Sequence, residues 1–262
     1  MDTQSETTAQ KIMKLEWSAI IVVSLVFLAV GFLISQPLPL VVVGFVGTFV
    51  LTRRVRSLAS VGELHNISTK SASTHDYARI FNVVDGLCAV SGDARPRIEV
   101  ADVHYPLAAA IGEPGDAAIV ISHDLYTLLD RVETEAVMAH LLWRIRTGDT
   151  SLTSYLMSLS VVLSRIGLGS LARLVASRLV NPQSLIWADI AACQATRYPP
   201  ALISALEKID GTHGNAPDST SSPLWFAVSD ASASATTTSS IFSIVEGSRP
   251  SIAYRIGVLK EI

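Results

Sequence analysis

From Trp17 to Ser35 the chain runs for nineteen residues without a charge, and this run constrains the possible folds more than any other feature. As an α-helix it reaches about 28 Å, the thickness of a bilayer core, so it reads as one membrane span. Gln36-Pro37-Leu38-Pro39 then breaks it, because the two prolines lack donors and push their preceding residues out of the helical region. Leu40 to Thr52 is apolar again, about 20 Å as a helix, and reads as a second, shorter span. Lys11 and Lys14 precede the first span, and Arg53, Arg54 and Arg56 follow the second. Basic flanks face the cytoplasm, so the expectation is an integral protein of the cell membrane with both termini and the folded domain cytoplasmic. The competing reading, a cleaved signal peptide, fits poorly: the apolar stretch is too long and ends in arginines instead of a small-residue cleavage site.

Composition supports a share of the chain in lipid. Of its 262 residues 49% are hydrophobic and 16% charged, and the mean hydropathy is +0.42, too apolar for an ordinary soluble domain. The net charge of -3 comes with no basic stripe beyond the cluster at residue 53, which argues against nucleic acid as a partner. Cys88 and Cys193 are the only cysteines and read as core residues, not as a disulfide framework or a metal knuckle.

The expected organisation is a cytoplasmic tail at 1–16, two transmembrane helices within 17–52, a juxtamembrane linker at 53–75 and a folded domain at 76–262. Ala78 to Val90 has helical spacing and stops at Ser91-Gly92. Pro96 to Val100 alternates like a strand, and Ala108 to Ile111 with Ala117 to Ile121 suit a hairpin around Gly112-Glu113-Pro114-Gly115. Asp130 to Arg146 reads as a helix with acidic residues early and arginines late, matching the macrodipole. Residues 152–180 read as one or two apolar helices whose arginines argue against a lipid span, though not against lying on the bilayer. Helices are expected over Pro182 to Arg197, Pro200 to Ile209 and Pro250 to Leu259. Residues 210–240 read as a mobile loop that docks once, through the apolar island Pro223 to Val228.

The stretch Glu133-Thr134-Glu135-Ala136-Val137-Met138-Ala139-His140, followed by Ile145 and Gly148-Asp149, resembles the HtpX and CAAX-prenyl-protease family of membrane zinc metallopeptidases, whose helix reads roughly E-L-x-A-V-x-A-H-E-x-x-H-I-x-x-x-D. The likeness continues in order over about residues 76–262. Tyr105 to Gly112 is similar to the family's P-N-A-F-A-x-G edge strand, Trp187-Ala188-Asp189 to its E-A-D helix, and Ser248-Arg249-Pro250 with Tyr254-Arg255-Ile256 and Leu259 to its closing segment. The resemblance implies an α+β architecture: a mainly helical, zincin-like domain with a small sheet, preceded by a transmembrane hairpin.

Zinc hydrolysis needs two histidines one helical turn apart, a distant carboxylate ligand and a glutamate beside the first histidine as general base. Here the motif reads His140-Leu141-Leu142-Trp143-Arg144. Leu141 holds the base position and Arg144 the second ligand position, while the family's third ligand lies four residues before the aspartate of its E-x-x-x-D motif, a place that the resemblance at Asp189 gives to Leu185. Two ligands and the base are therefore absent together, and neither zinc nor another cofactor is expected. His140 is read as a packed, hydrogen-bonded side chain, since one imidazole cannot hold zinc alone. For Arg144 two readings stay open: a cation in the metal's place, against Asp189, or a solvated helix-end arginine. Asp189 is read as structural, bonding a nearby backbone or the tail. His65, His75, His104, His123 and His213 have no partner at ligand spacing, and Trp143 reads as packing.

These residues suggest a domain that has lost catalysis and holds a membrane protein partner beside the bilayer. The strand Leu107, Ala108, Ala109, Ala110 and Ile111 is the expected peptide contact, because main-chain pairing survives the replacement of the family's asparagine by Leu107 and its phenylalanine by Ala109. An enzyme with an altered metal site, or a structural subunit contacting others through 152–180, are the rival readings.

Overall fold

The computed structural model describes residues 68–165, 183–212, 224–229 and 249–262, together with parts of 10–25 and 42–50 and residue 170. The expected spans within 17–52 fall largely outside these residues. Among the described residues no helix is long and apolar enough to cross a membrane.

The sheet has four strands: β1 (Thr69–Ser71), β2 (Arg97–Ala101), β3 (Ala108–Glu113) and β4 (Asp116–Ser122), in the order β1-β2-β4-β3. β1 lies inside the stretch expected to be a linker. It pairs antiparallel with β2, Lys70 opposite Val100, so the sheet begins before Asp76. Its polar Thr-Lys-Ser sequence hid it, because an outer strand with little burial needs no apolar alternation. β2 runs parallel to β4, and β3 returns on β4 as the expected hairpin, Ala110 opposite Ile119. Gly112 has φ +94°, and a Cβ there would lie 2.5 Å from the Asp116 carbonyl oxygen, so only glycine fits this approach.

The helices are α1 (Ala78–Ser91), α2 (His123–Leu128), α3 (Arg131–Arg146), α4 (Asp149–Arg165), α5 (Ser184–Thr196), α6 (Pro199–Asp210) and α7 (Ile252–Lys260). Each longer one falls within a few residues of its sequence expectation. α3 starts in a capping box: Asp130 accepts from the Glu133 amide, and Glu133 accepts in return from the Asp130 amide. Glu133 also accepts from Ser204 Oγ and Lys208 Nζ, which ties the start of α3 to α6.

α3 is the central element, packing against α1, α5, α6 and β3. From Ala136 to Leu142 every residue is buried, which is what a helix apolar on all sides requires. The main core joins α3, α1, α5, α6 and one face of the sheet through Val84, Ile98, Ile119, Ile121, Val137 and Leu202. The opposite sheet face carries Leu107, Ala109, Ile111 and Val120, covered by Leu224 and Trp225. Cys88 and Cys193 are free and buried, as their spacing suggested. Burial pushes the Cys193 thiol up to about 11, with Asp189 adding to the effect.

Candidate functional site

Spacing puts His140 on α3, and tertiary packing brings α5 and α7 to it. His140 is fully buried, and its Nδ1 lies 2.8 Å from Asp189 Oδ1 on α5. Asp189 is buried as well and receives the fork of Arg255 from α7, Nε to Oδ2 at 2.7 Å and Nη2 to Oδ1 at 2.6 Å. Such a bidentate pair fixes both groups in orientation as well as charge. Asp189 therefore does bond the tail, through Arg255.

Burial pushes the Asp189 carboxyl up, but the charge and hydrogen bonds of Arg255 and the bond to His140 outweigh it and bring it to about 2. Burial pushes His140 down, Asp189 partly opposes this, and the charges of Arg255 and Arg144 add to the lowering, to about 4. At neutral pH the histidine is uncharged and, facing a carboxylate, carries its proton on Nδ1 as donor. Its Nε2 is a buried acceptor with no hydrogen-bond partner.

A pH dependence follows. Between its ordinary 6.5 and about 4, His140 is protonated in the unfolded chain but not in the folded one. The unfolded state then binds more protons, so stability falls as pH drops through that window, by about 3 kcal/mol. Asp189 adds a second loss as pH falls from 3.8 to about 2. Urea titrations at pH 7, 5.5 and 4.5 measure the upper step, and His140→Gln should abolish it. A wild-type stability flat from pH 7 to 4.5 would contradict the buried neutral imidazole.

Arg144, one turn after His140, is buried, which excludes the solvated reading. It does not reach for Asp189 either. Its Nε donates to Asp149 Oδ2 at 2.8 Å and its Nη1 to the Leu224 carbonyl at 3.0 Å. The acceptor only five residues along, just past Gly148, is nearer in the chain and less committed than Asp189, whose oxygens already hold Arg255. Leu141 is fully buried in the main core, and Leu185 is buried on α5.

These donors do not fit a zinc ion. One imidazole offers a free lone pair, the nearest carboxylate is held by Arg255, and two guanidinium charges depress protonation of His140 and oppose a second cation in the same way. Among the described residues no group of three His, Cys, Asp or Glu is placed to hold a metal. His75, His104 and His123 are exposed, while His65 and His213 lie outside the described residues. Trp143 is half-buried.

β3 is an edge strand of the sheet, but its edge is not open. The chain's own Trp225 forms an antiparallel bridge with Ala109, and the Phe226 amide donates to the Ala108 carbonyl at 2.7 Å. Because the Ala108 carbonyl points outward, the Ala109 amide points back to β4, and the outward donor is the Ala110 amide. Further along, the Gly112 carbonyl accepts from Thr150 Oγ1 and Ser151 Oγ of α4.

Three arginines clamp successive carbonyls of this inserted segment: Arg144 on Leu224, Arg249 on Trp225 at 3.0 Å and Arg255 on Phe226 at 2.7 Å. Its side chains divide between the two cores, Leu224 and Trp225 on one side and Phe226 and Ala227 on the other. Trp225 packs with Leu107, Ala109 and Ile111 on one face, while Phe226 turns to the main core, edge-on to His140 at 4.8 Å and beneath the Arg255 guanidinium. Residues 224–227 are all buried, and the Ser229 amide donates to Tyr105 Oη. The apolar island in a Ser/Thr-rich stretch announced a docking point. Its address, and the contacts of Arg249 and Arg255, carried no local signal, although both arginines stand in the segment that resembles the family's closing motif.

Against known proteins, the chain is 29% identical over 228 residues to a protease HtpX homolog of Dictyoglomus thermophilum, covering 74% of this chain and 75% of that one. A homolog of the same name from Dictyoglomus turgidum is 29% identical over 177 residues, covering 56% and 58%. One from Halobacterium salinarum is 26% identical over 126 residues, covering 48% and 44%. The chain thus spans about half to three quarters of the length of these curated relatives. No family model and no solved structure matches. The motifs in family order from Tyr105 to Leu259 and these matches over more than half its length support an HtpX-type metallopeptidase family resemblance for the chain.

Proposed function

We propose that this protein is a membrane-anchored member of its family that binds a protein partner at the cytoplasmic face of the cell membrane and does not hydrolyse it. The observation that carries this reading is the fate of the hydrolytic positions. His140 is tied to the Asp189–Arg255 ion pair, Arg144 holds a backbone carbonyl, and Leu141 and Leu185 are packed apolar side chains. A water could be neither held by a metal nor deprotonated there, whereas the helices and small sheet around the positions are fully packed. A membrane anchor is supported by apolar side chains exposed in the N-terminal helical pieces, among them Trp17, Ile21, Leu25, Phe49 and Val50. The rival reading, a subunit that contacts others through 152–180, is weakened because Leu152, Tyr155 and Leu156 of α4 already pack on Ile12.

Two measurements test the proposal. Elemental analysis of gently purified protein is expected to find no stoichiometric zinc, and unfolded casein is expected to survive incubation with it. About one zinc per chain, lost on His140→Ala, would overturn the reading. Reporter fusions at the C-terminus test the topology, and an extracytoplasmic signal there would overturn the cytoplasmic placement.

A further inference from the structure

We infer that the site beside β3 is a receptor for an extended peptide carrying an aliphatic residue followed by two aromatics, filled in cis by Leu224-Trp225-Phe226, and that a partner enters by strand exchange. The inference rests on the binding role proposed above and names the partner's chemistry.

Two features of the segment support it. It adds to an edge strand through main-chain bonds, the Phe226 amide on the Ala108 carbonyl and the bridge of Trp225 to Ala109, so any extended backbone can substitute for it. The three arginines likewise hold carbonyls, which any sequence with the same backbone path supplies, and Arg255 also lies over a side chain, the Phe226 ring.

Sequence preference comes from the two faces. Small side chains, Ala109 in β3 and Ala101 in β2, leave room on one face that Trp225 fills together with Leu107 and Ile111. On the other face Phe226 lies between the His140 ring at 4.8 Å and the Arg255 guanidinium, 4.9 Å above its centroid. An aromatic is favoured there over an aliphatic by the cation–π geometry and the ring-edge contact. Trp225 and Phe226 are neighbours that enter different clusters, so filling both places takes two adjacent aromatics.

The test uses the full chain in detergent micelles and a fluorescent peptide, Ser-Ser-Pro-Leu-Trp-Phe-Ala-Val-Ser, the sequence of residues 221–229. In wild type the cis segment competes and lowers the apparent affinity by the fraction of open sites. The double substitution Trp225→Gly/Phe226→Gly is expected to tighten peptide binding at least about tenfold, with a scrambled peptide staying weak. Hydrogen exchange on the wild type needs no variant and covers the case in which the double substitution fails to fold. Excess peptide should speed exchange of the amides of 224–229 while leaving α3 unchanged. If the peptide binds no better than its scrambled form and exchange at 224–229 does not move, the inference is wrong. Mass spectrometry of the recovered peptide separates the two proposals. A cleaved peptide overturns the non-hydrolytic reading and leaves the receptor standing, and an intact peptide that never binds overturns the receptor alone.

Discussion

Asp189→Ala is expected to destabilise the domain by about 3–5 kcal/mol, the cost of leaving a buried charge without its partner. Arg255 is 1% exposed and gives two of its donors to Asp189, so after the substitution its charge keeps only the Phe226 carbonyl and ring. His140 loses the acceptor of its Nδ1 proton at the same time. At this domain size the loss lowers Tm by on the order of 10 °C, read by near-UV circular dichroism. The double substitution Asp189→Leu/Arg255→Met should recover much of it, because removing both charges removes the desolvation cost along with the attraction. A single alanine change costing under about 1 kcal/mol would mean that water reaches the pair.

Trp225→Ala removes a fully buried indole from the face formed by Leu107, Ala109 and Ile111. A large-to-small change of this kind costs about 3–5 kcal/mol where the structure cannot collapse into the cavity. Here the loss has a ceiling, because the segment can leave β3 before the domain unfolds, and the global cost cannot exceed what holds it there. The expected result is therefore asymmetric. Amides of 224–229 should lose most of their protection, while those of α3 keep theirs apart from a modest fall in Tm. Equal loss at both sites would show the segment to be an integral part of the core.

The secondary structure was legible because its signals are local. A capping pair at Asp130 and Glu133, arginines at Arg144 and Arg146, a Gly-Glu-Pro-Gly turn and prolines at 199 and 200 each act within one or two turns of chain. β1 escaped because it is three residues long and partly exposed, so its pairing with β2 leaves no pattern in its own side chains.

At the site, the sequence by itself determined which groups are missing. Helical spacing puts His140 and Arg144 one turn apart on α3, and Leu185 one turn before Asp189 on α5, and no folding of the rest can turn leucine or arginine into a zinc ligand. Only the tertiary structure decided what the remaining groups do. Asp189 and Arg255 stand 66 residues apart, and Arg144 and Leu224 stand 80 apart. Residues that far separated leave no periodic trace of their meeting. The same holds for the β3 edge, where the turn at 112–115 identified a hairpin strand and the family resemblance an edge, but neither identified the segment of the same chain that covers it. Main-chain hydrogen bonds join any two extended backbones regardless of side chain, so the partner of an edge is set by which segment the packed core delivers to it.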